Sequence, residues 1–144
     1  MNEPDVLPRL RRLLLAMLSI GAVGTGAELL LLGHFEGTAQ LIPLGLLAIA
    51  VVVVVWHAAA PRAATVRALQ ATMTLLVFAG GLGVGLHYQG NTEFELEMYP
   101  TMRGLELVQK TLTGATPVLA PGSMTLLGLI GLAHAYRHPS LTGE

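Results

Sequence analysis

Four long apolar stretches leave this chain almost no polar surface with which to coat a water-soluble globule. The first runs from about Leu13 to Gly33 and carries a single charge, Glu28. The second, about Leu41 to His57, contains the unbroken valine run Val51–Val55. The third extends from about Ala68 to Leu86 and the fourth from about Pro117 to Tyr136. A helix of roughly 20 mostly apolar residues crosses a hydrocarbon core of about 30 Å, and it does so with every backbone polar group satisfied internally. Charged residues make up only 12% of the 144, about half the share of a soluble domain. The pattern predicts an all-α integral membrane protein: one antiparallel four-transmembrane-helix bundle filling 1–144, with no separate soluble domain.

The cations give the expected direction. Arg9, Arg11 and Arg12 precede the first stretch, Arg62 and Arg67 lie between the second and third, and Arg137 follows the fourth. The opposite side holds only Arg103 and Lys110. Positive residues stay on the cytoplasmic side, so both termini are expected there, and a bacterial inner membrane is the expected setting. Arg9–Arg12 before an apolar run also has the form of a secretory leader, with Thr25-Gly26-Ala27 as a cleavage site. The apolar run resumes at once in Leu29–Leu32, which favours an uncleaved first span.

Short links, Gly33 to Gln40 and Ala58 to about Arg67, force consecutive spans into antiparallel hairpins. The sizeable link is the second outer loop, about 87–116. In it Glu93-Phe94-Glu95-Leu96-Glu97-Met98 alternates acid and apolar, a period of two that predicts an extended segment with three carboxylates on one face. Gly90-Asn91 is expected to turn that segment back over the mouth of the bundle. Leu105, Val108 and Leu112 then recur at helical spacing and predict a short amphipathic helix on the outer surface, with Gly114 as its stop. Small residues let helices approach closely in lipid. Gly81 and Gly85, a G-x-x-x-G pair, are the candidate packing face, within the chain or between copies.

Glu28 is the intramembrane carboxylate. It is either satisfied by Thr25, Gln40 or a neighbouring helix, or it is functional. The five histidines fall at span ends. His34 and His87 lie at the outer face, and His57, His134 and then His138 lie at the inner face. Facing histidines at matching depth are compatible with haem ligation. The inner set reads more simply as amphipathic rings at an interface, beside Trp56. The outer set adds carboxylates. His34, Glu36, His87, Glu93 and Glu95 form the candidate metal site, and imidazole with carboxylate suits Zn²⁺, Mn²⁺ or Fe²⁺.

Zero cysteines exclude disulfides and thiolate metal sites, and a net charge of −1 excludes a nucleic-acid surface. No nucleophile elbow, phosphate loop or dinucleotide motif is present. The expected function is therefore non-enzymatic: a small polytopic protein in the lipid bilayer whose outward His/Glu cluster binds a divalent cation. The alternatives are an accessory or scaffold subunit of a membrane assembly, and a proton- or cation-coupled transporter using Glu28. Four spans this small expose most of their perimeter, so a homo-oligomer or a larger complex is expected. In size, span number and its one membrane glutamate, Glu28, the layout is similar to that of the small multidrug exporters. The similarity stops at layout: Glu28 is displaced outward, the second outer loop is long, and the cation asymmetry is strong.

Overall fold

The computed structural model describes residues 6–141, and all of its regular structure is helical. Helix α1 spans Val6–Leu31, α2 Thr38–Ala59, α3 Ala63–Met98, α4 Gly104–Leu112 and α5 Gly122–Ala135, followed by a 3₁₀ turn at Pro139–Leu141. Three of these, α1, α2 and α3, are long and apolar enough to cross a membrane, and α5 is a shorter apolar helix. Their outward surfaces are greasy: Ile20, Leu31, Val52, Phe78 and Leu82 are all more than 60% exposed. Water does not tolerate such a surface over whole helices, whereas lipid does.

The ends follow local rules. Gly33, at φ +67°, closes α1 in a Schellman motif: the His34 N–H bonds the Leu29 carbonyl at 2.9 Å and the Gly33 N–H bonds the Leu30 carbonyl at 3.1 Å. Gln40 then reaches back, its Oε1 accepting the N–H groups of Glu36 and Gly37. It caps the turn rather than serving Glu28, which is exposed one turn before the end of α1. Pro61 lies in the three-residue link between α2 and α3, far shorter than the expected Ala58–Arg67 segment, because both helices run further than their apolar cores.

The largest difference from expectation lies in α3. It has 36 residues, so at 1.5 Å per residue it is about 54 Å long and outruns a bilayer core. The acid–apolar alternation of Glu93–Met98 is helical, not extended, and Gly90-Asn91 makes no turn. Adding a residue to an established helix completes a hydrogen bond each time, while a lone strand there has no partner to pair with. Asn91 holds its place because its amide is engaged elsewhere. It donates to the carbonyls of Thr111 (2.9 Å) and Thr116 (2.7 Å) and accepts from the N–H and hydroxyl of Thr116. These bonds fasten α4 and the chain after it against α3. The amphipathic helix stands where Leu105, Val108 and Leu112 predict it, all three side chains exposed.

Helix α5 packs against α1 and α3, and α2 also packs against α1 and α3. The glycines make the closest approaches. A Cβ on Gly128 would meet the Met73 carbonyl at 2.6 Å, and one on Gly80 would meet the backbone N of Thr125 at 2.6 Å. Gly83 faces Pro121 and Gly131 faces Met73. Gly81 and Gly85 have nothing within 4 Å, so the α3–α5 contact uses the neighbouring small face, Gly80 and Gly83. The core lies along this seam, with Leu18, Leu69, Met73, Leu76 and Leu127 buried.

Candidate metal centre

In the last turn of helix α2, three positions beyond the buried Val54, His57 faces inward, 2% exposed amid an otherwise apolar run. Helix α5 ends with His134 in its last turn, 3% exposed. The chain then breaks from the helix: Tyr136 is extended and Arg137 adopts φ +45°, the only non-glycine residue at positive φ among those described. A side-chain-bearing residue enters that region at a cost. Here it swings His138 back onto the helix end instead of onward along it.

The result is three buried imidazoles at one end of the molecule. Ring centroids are 5.2 Å apart for His57–His134, 5.1 Å for His57–His138 and 5.5 Å for His134–His138. One ring nitrogen from each lies within 4.8 Å of the others. The Nε2 atoms of His57 and His134 are 3.1 Å apart. Two nitrogens bound to one tetrahedral Zn²⁺ at 2.0–2.1 Å stand about 3.3–3.4 Å apart, so this separation is close to the edge of such a ligand set.

The outer nitrogens are already oriented. His134 Nδ1 donates to the Arg11 carbonyl at 2.9 Å. A carbonyl only accepts, so the proton sits on Nδ1 and the neutral ring offers a lone pair on Nε2. His57 Nδ1 is 3.1 Å from the Thr65 hydroxyl. That hydroxyl accepts the Arg62 N–H and lies 2.9 and 3.0 Å from the Arg62 and Ala60 carbonyls. One hydroxyl proton cannot serve both carbonyls and His57. If His57 carries its proton on Nδ1, it donates to Thr65, Thr65 donates to a carbonyl, and His57 Nε2 is left as a bare donor. Oxygen partners on the far nitrogens of ligating histidines are the usual support of a metal site. His138 lies beyond the helices. Burial, with the His57 and His134 rings and Arg11 adding to it, pushes its pKa down to about 4.

The expected outer site is not gathered. His87 Nδ1 pairs with the Pro117 carbonyl at 3.1 Å. Glu93 accepts a bond from Gln89. Glu93 and Glu95 are two positions apart on a helix, so they point about 200° from one another. His34 sits in the turn after α1, and Glu36 is exposed. Among the described residues, the three inner histidines are the one group of three or more His, Asp or Glu side chains with ligand atoms this close. A signal for them was present: His134-x-x-x-His138 spaces two imidazoles one helical turn apart, at matching depth with His57. It carries no carboxylate, so by itself the pattern reads as an interfacial ring set. Comparison with models of protein families, with curated proteins and with solved structures finds no match to this chain.

Proposed function

We propose that this is a small four-span membrane protein, both termini cytoplasmic, that binds a divalent transition-metal ion through His57, His134 and His138. The observation that carries this reading is the 3.1 Å approach of two Nε2 atoms whose opposite nitrogens are each held by an oxygen. Three imidazoles suit Zn²⁺, Cu²⁺ or Ni²⁺, His138 joining at the cost of the 3.3 Å bond that its Nδ1 accepts from the Ser140 N–H. Mg²⁺, Ca²⁺ and Mn²⁺ prefer oxygen, which this set lacks. Zn²⁺ accepts four-coordination with three protein ligands and one open position.

The ion has a mechanical role. Among the described residues α2 and α5 make no close backbone approach, and the His57–His134 contact bridges them. A bound ion joins α2, α5 and the segment after α5 at a single point. Protein purified without chelator is expected to carry one equivalent of metal by elemental analysis. His134→Ala is expected to lose it, and His87→Ala to keep it. Metal-free protein whose melting temperature ignores added Zn²⁺ overturns the reading.

A further inference from the structure

Beside the three imidazoles lies a cleft of about 390 Å³, lined by Arg11, Arg12, His134 and His138 together with the rings of Pro61 and Pro139. Its size falls in the range of small-molecule sites. Two features of its charge stand out. The ligand set is three neutral rings, so a bound divalent ion keeps its full +2 charge. The described residues lining the cleft include two arginines and no acid. A divalent charge beside two guanidinium groups, with no acid among the described lining residues, leaves the positive charge there uncompensated. Three protein ligands also leave one coordination position without a protein donor.

We infer that the metal-loaded cluster takes a phosphate-type oxyanion as its fourth ligand, entering through this cleft. The inference rests on the metal reading above. The anion places one oxygen on the ion and its remaining oxygens toward Arg12, which is exposed at the cleft. Arg11 is partly committed: its guanidinium donates to the carbonyls of Arg137 (2.9 Å) and Tyr136 (3.3 Å), closing the turn that delivers His138. It therefore acts as a fixed positive wall rather than a mobile clamp. The proline rings supply an apolar floor for whatever carries the oxyanion. The same chemistry has two sources at a membrane face: free inorganic phosphate, or the headgroup of an anionic lipid.

The test uses the full-length protein loaded with Co²⁺, whose visible d–d bands report the ligands on the ion. In detergent, or in zwitterionic phosphatidylcholine vesicles, inorganic phosphate is titrated in. In parallel the protein is placed in phosphatidylglycerol vesicles without phosphate. A saturable band shift with inorganic phosphate supports the inference with a soluble anion. A shift confined to phosphatidylglycerol supports it with a lipid headgroup. In either case Arg12→Ala is expected to leave Co²⁺ binding intact and raise the half-saturating anion concentration about tenfold, the scale of one charged hydrogen bond. Tetrahedral Co²⁺ bands that neither source alters overturn the inference and leave the metal site standing. Failure to develop those bands at all removes both.

Discussion

His57 and His134 stand 77 positions apart in sequence and point their Nε2 atoms at each other across 3.1 Å. With its proton on Nε2, His57 donates to His134 Nε2 across that gap; with its proton on Nδ1, the two lone pairs face each other and a metal ion between them binds both. The first expected outcome is therefore stabilisation by metal. At a free Zn²⁺ concentration 100 times its Kd the gain is about 2.7 kcal/mol. Thermal unfolding in detergent measures it, and His57→Ala and His134→Ala are expected to abolish the zinc-dependent part.

Thr65 is expected to matter through His57. Thr65→Val removes the oxygen that orients the ring and is expected to lower metal affinity about 10–100-fold. Thr65→Ser keeps the hydroxyl and is expected to restore affinity to within a few-fold of wild type. Isothermal titration with Zn²⁺ checks both. Equal affinity in Thr65→Val assigns His57 no need of that partner.

The buried His138 gives stability a pH dependence. Its folded pKa is pushed down to about 4, below the ordinary value of 6.5. Between those two values the unfolded chain binds more protons at this position than the folded chain does, so stability rises with pH across the window. Metal-free protein is expected to lose stability as pH falls from about 6.5 toward 4. His138→Gln is expected to make that slope shallower. A denaturation series across this range, in wild type and variant, reads the difference.

Asn91 is expected to control the outer segment without touching the metal. Its amide makes four hydrogen bonds to Thr111 and Thr116. Asn91→Leu takes this partner from the buried Thr111 carbonyl and frees the exposed Thr116, at a cost of about 1–3 kcal/mol. Hydrogen exchange is expected to accelerate at 99–116, while Zn²⁺ affinity stays at the wild-type value.

The glycine faces separate in the same way. Gly128→Ala drives a Cβ onto the Met73 carbonyl and the Val77 side chain and is expected to destabilise by about 1–3 kcal/mol. Gly81→Ala and Gly85→Ala meet open space and are expected to be neutral or to stabilise by up to about 1 kcal/mol through helix propensity. Thermal melts of the three variants, side by side, decide it.

Helical, membrane-compatible architecture was legible in the sequence because it depends on local runs. The apolar stretches, Gly33 after the first helix, Pro61 between the second and third, and the Leu105–Val108–Leu112 stripe each act over a turn or two of chain. The Glu93–Met98 alternation misled for a related reason. A period-two pattern implies a strand only if a partner strand exists, and here the segment simply continues a helix already running from Ala63.

The tertiary structure alone decided which polar groups meet. The outer histidines and glutamates share one end of the chain's layout but do not converge: Glu93 and Glu95, two apart on α3, face opposite ways, and His87 pairs with the Pro117 carbonyl. The inner histidines carry no charge pattern to announce them. They converge only because α2 and α5 finish at the same level and a left-handed Arg137 turns His138 back toward them. Hydropathy acts along the chain and was readable from residue types. Coordination depends on angles between side chains far apart in sequence, and those angles exist only once the helices have packed.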